Sequence, residues 1–248
     1  MRKNWKRLIF GTSFAQHSVG QASNEIPVFV IGSGRGDRRQ FMNLQLAKSG
    51  FVDVTWLEGP NKPAVPDELI AALKTRSSQM TEGEFSCTLK HYLALQMFLQ
   101  TNKNFAVICE DSIEIRESYS KRLSEYLALL PRAFDILFDG DLMKIPGFRG
   151  EYESFLGEGF SVMKMDRKAS DWADGATNGA NCYLITRRAA AKVTRDFLPF
   201  DKVIDHYLND IIRRKKLNVY WPLPPAVHKR VLVSTVQFDE DGSPAALL

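Results

Sequence analysis

Two acidic stretches carry the residues best suited to chemistry. "FAVICEDSIEI" ends an apolar run in Glu110 and Asp111, and "FDILFDGDLM" sets Asp139 and Asp141 on either side of a glycine. Hard divalent cations take oxygen ligands, and Mg2+-type ions are commonly held by one or two carboxylates together with substrate phosphates. An acidic pair beyond the carboxyl end of a buried strand is therefore a natural platform for a metal and a diphosphate, because ligands of open α/β sheets bind beyond those ends. The alternative for each pair is a solvated turn.

A third candidate is the glycine turn in "PVFVIGSGRGDRRQFM". A dinucleotide fingerprint needs G-x-G-x-x-G, with its third glycine where the helix packs on the strand. That position is Asp37, since Gly36 comes one residue early. Glu58 follows at about the distance at which that fingerprint places its ribose acid. The broken pattern argues against NAD(P) and leaves a turn of another kind. Cys87 and His91 lie four apart on one face of a predicted helix. A metal there would need two more partners, and none stands at a useful spacing.

The elements that must position these residues alternate as β-α-β-α-α-β-α-β, the pattern of a mainly parallel sheet covered by helices. "VFVI", "FVDVTWL", "FAVIC", "FDILF" and "NCYLIT" read as strands. "RRQFMNLQLAKSG" reads as a helix stopped by Gly50, and "PDELIAALK" as a helix opened by proline. In "TEGEFSCTLKHYLALQMFLQ", Thr81 and Glu84 form a capping box before Phe85, Leu89, Tyr92, Leu93 and Met97 recur at helical spacing. "YSKRLSEYLALL", "RRAAAKVTRDF" and "DKVIDHYLNDIIRRKK" complete the helices, the last with Val203, Ile204, Tyr207, Leu208, Ile211 and Ile212 inward. The segment 144–178, rich in glycine and charge, shows no strong period and reads as a lid or binding loop.

The chain has 248 residues, 44% hydrophobic and 25% charged, with a net charge of +4. That suits one sizeable soluble α/β domain over 26–236, with a leader 1–25 and a tail 237–248. The mild positive charge fits an acidic ligand or anionic membrane surface and does not call for nucleic acid. "RRKK" at Arg213 sits well at a helix C-terminus. Cys87, Cys109 and Cys182 cannot all pair, and reduced, mostly buried thiols point to the cytoplasm. No apolar run reaches the roughly 18 residues of a membrane span. Arg2, Lys3, Lys6 and Arg7 beside Trp5, Leu8, Ile9 and Phe10 suit peripheral contact with a membrane's inner face, or simply a flexible leader.

The stretch "MTEGEFSCTLKHYLALQMFLQTNKNFAVICEDSIEI" resembles the central segment of glycosyltransferase family 25, the lipooligosaccharide and procollagen galactosyltransferases. Those proteins carry a G-E-x-x-C-x-x-S-H helix, a spacer, and an apolar strand ending in Glu-Asp-Asp. Gly83, Glu84, Cys87, His91, Glu110 and Asp111 match in order. Asp37, Arg38 and Arg39 are similar to the family's Asp-Arg-Arg turn. "ANCYLITRRAAAKV" resembles its Y-x-I-s-x-x-A-A segment, and Pro199 and Asp201 its Pro-x-Asp motif. "FDILF" and "VYWPLPPAVHKRVLVSTV" are similar to later strands, so the likeness spans roughly Pro27 to Val236.

The resemblance implies a GT-A-like fold, Rossmann-type, with a UDP-sugar donor, transfer with inversion, and a glycan or glycolipid acceptor. Galactose is the donor sugar it favours and lipooligosaccharide the acceptor. It implies donor contacts from Gly32, Arg38, Arg39, Glu110 and Asp111, and Mn2+ or Mg2+ at Glu110, Asp111 and Ser112. Asp201 matches the family acid and is the preferred general base, with Asp139 and Asp141 as alternatives. Three positions depart from the family pattern: Ser112 replaces the last acid of Glu-Asp-Asp, Lys90 a serine, and Gly32 an asparagine. In an extended chain Glu110 and Ser112 face one way and Asp111 the other. A second reading, motivated by Ser112, is a degenerate member that binds a sugar nucleotide or partner without transfer.

Overall fold

The apolar runs become strands of one eight-stranded sheet in a computed structural model that describes residues 26–61, 65–116, 119–140, 154–157, 160–164 and 179–229. The leader 1–25, Asp141, most of 144–178 and the tail 237–248 lie outside the described residues. The strands are β1 (Val28–Ile31), β2 (Val54–Leu57), β3 (Phe105–Glu110), β5 (Ile136–Phe138), β6 (Ser154–Gly157), β7 (Phe160–Lys164), β8 (Cys182–Thr186) and β9 (Val219–Leu223). A separate ribbon pairs β4 (Ile113–Ile115) with β10 (Val227–Lys229).

The sheet order is β2-β1-β3-β8-β5-β9-β7-β6. β1 is parallel to β2 and β3, and β5 is parallel to β9. β8 runs antiparallel between β3 and β5, and β7 antiparallel between β9 and β6. Six of these strands therefore share one direction, and β8 and β7 oppose it. The core strands are continuous apolar runs because both of their faces are covered.

Helices α2 (Asp67–Leu73), α3 (Glu82–Gln100), α5 (Arg187–Arg195) and α6 (Ile204–Arg214) pack on one face, where Phe29, Ile31, Ala106, Ile108, Ile136 and Phe138 point. Helices α1 (Gly36–Lys48) and α4 (Tyr119–Leu129) cover the other, against Val28, Val30, Val107, Cys109 and Leu137. The result is a three-layer α/β fold.

Local signals set the helix ends. Thr81 and Glu84 form the reciprocal capping box: Oγ1 of Thr81 accepts from the Glu84 N–H at 3.3 Å, and Glu84 Oε2 accepts from the Thr81 N–H at 2.8 Å. Gly50 has φ of +82°. Its N–H reaches Ala47 O and the Phe51 N–H reaches Leu46 O, a Schellman ending that glycine makes without strain. Pro66 is the N-cap of α2, one position before the first helical residue.

Sequence periodicity did not reveal β6 and β7, which form a hairpin inside the segment expected to be loop. Its order comes from pairing β7 with β9, Met163 opposite Trp221, a contact between distant segments that leaves no local period. The short β4 and β10 were missed for the same reason. Gln45 of α1 clamps β4 by donating to Ile113 O at 3.2 Å and accepting the Ile115 N–H at 2.6 Å.

Candidate active site

The carboxyl ends of β1 and β3 lie side by side, with Ile31 paired to Glu110. Strand alternation then separates the two acids that follow. Asp111 turns toward the β1–α1 connection and is 3% exposed. Its Oδ2 accepts both the Ser33 N–H and the Ser33 hydroxyl at 2.6 Å, and its Oδ1 accepts from Arg38 Nη1 at 3.4 Å. These contacts fix the glycine turn. Gly34 within it has φ of +83°, and a Cβ there would lie 2.6 Å from Asn61 Nδ2, so only glycine fits without displacement.

Glu110 turns to the opposite face, toward α3. Its Oε1 lies 3.7 Å from Cys87 Sγ, a thiol that donates to it, and 3.8 Å from His91 Nε2. Its Oε2 accepts from Ser112 Oγ at 3.2 Å, so Ser112 shares its side as alternation predicts. His91 is fully buried, with Nδ1 3.1 Å from the buried Tyr183 hydroxyl. Its Nε2 has no hydrogen-bond partner among the described residues. Burial, reinforced by the Glu110 charge, pushes the Cys87 thiol up.

Lys90, on the same helix, is buried and reaches the turn from below. Its Nζ donates to Gly32 O at 2.6 Å and to Asn61 Oδ1, while Asn61 Nδ2 donates to Glu58 O. Burial lowers its pKa, a tendency that Cys87, Asp111 and Glu58 oppose. One ammonium thus ties together the connections that follow β1 and β2.

Above that turn stands the N-terminus of α1, whose N-cap Arg35 makes no side-chain cap. Arg35 at the N-cap and Arg38 and Arg39 in the first turn surround that helix start, with Asp37 among them. Arg35 pairs with Asp37 at 2.8 Å on the surface. Arg39 pairs with Glu58, and its guanidinium lies 5.1 Å from the Trp56 ring centre. Arg38 keeps a buried Nε with no hydrogen-bond partner among the described residues.

Of the three other acids named from sequence, the two that are described do not gather here. Asp139 follows β5 on the α4 side, fully buried, where its Oδ1 accepts the Ala226 N–H at 2.8 Å and burial pushes its carboxyl up to about 6. Asp201 is a surface group, 51% exposed, 3.6 Å from Lys202. Asp141 lies outside the described residues. The acid that does come close is Asp205, in the first turn of α6. Burial raises its pKa and Glu110 adds to the rise, while the Ala180 N–H at 2.8 Å and His91 oppose it. Sequence gave no sign of this: Asp201 precedes the N-cap Val203 while Asp205 lies in the first turn of α6, and only tertiary packing decides which one turns inward.

Mn2+ or Mg2+ would need several oxygens converging on one point. Those of Glu110, Asp111 and Ser112 do not converge, since Asp111 is engaged by Ser33 and Arg38 on the far face. The set as arranged does not fit a hard cation.

Among the described residues no helix is long and apolar enough to cross a membrane. No curated protein matches the chain. A solved structure of a putative glucose-1-phosphate thymidylyltransferase from Bacillus anthracis, in complex with a sucrose, is similar at 9% identity and a TM-score of 0.42, over 79% of this chain and 86% of that one. The profile of glycosyltransferase family 25, described as LPS biosynthesis protein, matches residues 26–208, from β1 through most of the described fold. By that match the chain belongs to glycosyltransferase family 25.

Proposed function

We propose that the protein is an inverting transferase that moves a sugar, galactose in the first instance, from UDP to a hydroxyl of lipooligosaccharide or another surface glycan. The observation that carries this reading is the β1–α1 turn: Asp111 fixes Ser33, Lys90 holds Gly32, and α1 begins beside them with Arg35, Arg38 and Arg39 at its N-terminal end. Such an arrangement suits a diphosphate at the carboxyl ends of parallel strands.

In this account Arg38, whose Nε is unpartnered, and Arg35 receive the charge that develops on the departing UDP. The acceptor oxygen forms its bond to the anomeric carbon from the face opposite the breaking bond to phosphate. Its proton passes to Asp205, whose raised pKa suits a general base. Asp205 replaces Asp201 as our assignment, because the Asp201 carboxylate is exposed and faces Lys202. No step is routed through Mn2+ or Mg2+. The basic residues of the leader suit peripheral contact with the inner face of a membrane that carries a glycolipid acceptor.

The test is UDP release from a panel of UDP-sugars, with an acceptor mixture, in Mn2+ or in EDTA. Turnover from one donor that survives EDTA and is lost in Asp205→Asn supports the proposal. Ser112, in place of an acid, favours a second reading as a sugar-nucleotide-binding protein without transfer. Saturable UDP binding with no release from any donor would select it.

A further inference from the structure

Cys87, His91 and Glu110 are brought together by helix α3 and the end of β3, and their ligand atoms all lie within 4.8 Å of one another. We propose that Cys87 Sγ, His91 Nε2 and Glu110 Oε1 form a three-ligand site for a zinc-like divalent cation. Sequence supplied two of these residues and no third. The fold supplies it, because Glu110 faces α3 while Asp111 faces away.

The distances fit. Zinc bonds of about 2.3 Å to sulfur and about 2.1 Å to nitrogen and oxygen, at tetrahedral angles, separate sulfur from oxygen by about 3.6 Å and nitrogen from oxygen by about 3.4 Å. Here Sγ to Oε1 is 3.7 Å and Nε2 to Oε1 is 3.8 Å. An ion would enter by shifts of a few tenths of an ångström along those two edges.

The second observation is His91 itself. Its ring is 0% exposed and its Nε2, which lies within 4.8 Å of the two other ligand atoms, has no hydrogen-bond partner among the described residues. An unpaired polar atom at that depth is costly, and a metal ion would satisfy it. Tyr183, 3.1 Å from Nδ1, is the outer partner that metal-binding histidines use to hold ring orientation. The thiol S–H would give up its proton, so one proton leaves as the ion binds.

Thiolate and imidazole select zinc or cobalt over magnesium or manganese. The site therefore differs in kind from a hard-ion diphosphate site. Three protein ligands leave a fourth position, as in zinc sites that take water or substrate. The way in lies on the Glu110 side, where that side chain is 24% exposed and His91 is not.

The experiment uses Co2+ alone, without nucleotide, added to the full-length protein after chelator treatment. Binding should produce a near-ultraviolet thiolate charge-transfer band and the strong visible bands of a four-coordinate ion. Equimolar Zn2+ should bleach both, and excess Mg2+ should not. Cys87→Ser should abolish the charge-transfer band. Glu110→Gln should weaken binding about tenfold or more, and Tyr183→Phe, which leaves all three ligands in place, by about 10- to 100-fold. Circular dichroism checks that each variant is folded. Absence of the bands in the wild type, their persistence in Cys87→Ser, or Co2+ affinity unchanged in Glu110→Gln overturns the proposal. Because no donor is present, the result is separate from the fate of the transferase reading.

Discussion

Glu110 and Asp111 are adjacent in the chain, yet their carboxylates serve opposite faces of the sheet, one 3.7 Å from Cys87 Sγ and the other 2.6 Å from the Ser33 hydroxyl. The acidic motif is thus two devices: one partly open acid over α3, and one buried acid that shapes the β1–α1 turn.

Asp111 should therefore behave as a positioning residue. Asp111→Ala removes a charged acceptor from two Ser33 hydrogens and from Arg38. Hydrogen bonds to charged groups are worth roughly 1.5–3 kcal/mol each, so a loss of about 3 kcal/mol is expected in urea unfolding. Donor KM should rise as the turn loosens.

Asp205 and Asp201 should part company in kinetics. Asp205→Asn is expected to lower kcat by about 10²- to 10⁴-fold with donor affinity preserved, the range of a lost general base. Asp201→Asn, on the exposed side beside Lys202, should leave kcat within about twofold, as surface changes away from such features generally do little. Steady-state UDP release checks both.

Lys90→Met keeps much of the side-chain volume but strands Gly32 O and Asn61 Oδ1. The links between the connections after β1 and β2 are then lost, and the expected signature is a donor KM raised more than kcat is lowered. Isothermal titration with UDP should show affinity weakened about tenfold, the worth of one hydrogen bond of about 1.4 kcal/mol.

Asp139 makes stability depend on pH. Burial pushes its carboxyl from the ordinary aspartate value of 3.8 up to about 6, so the fold favours the neutral form. The sign follows: stability is fully present below about pH 4 and is lost as pH rises through about 6. The contribution is about 3 kcal/mol at most. Asp139→Asn can still accept the Ala226 N–H. It should flatten this dependence, so that variant and wild type diverge in urea midpoint between pH 4 and pH 7.

Much of the fold was legible because its signals are local. The capping box at Thr81 and Glu84, the glycine that ends α1, and the apolar runs of β1 and β3 each act within a few residues. The inward face of α6 followed from its period, with Ile204, Tyr207, Leu208, Ile211 and Ile212 all buried. The hairpin β6–β7 and the ribbon β4–β10 were not legible, since each is too short to carry a period and is held by pairing with a distant or neighbouring strand.

By itself the sequence determined the order of the longer elements, the family and the residue types at the strand ends, because backbone propensity, capping and alternation are properties of short windows. Tertiary structure alone decided which of those residues meet. It sent Glu110 to Cys87 and His91, and Asp111 to Ser33 and Arg38. It buried Asp139 behind the sheet and left Asp201 at the surface. The physical reason is that convergence depends on which face of the sheet each helix covers, and that is set by the global burial of apolar surface.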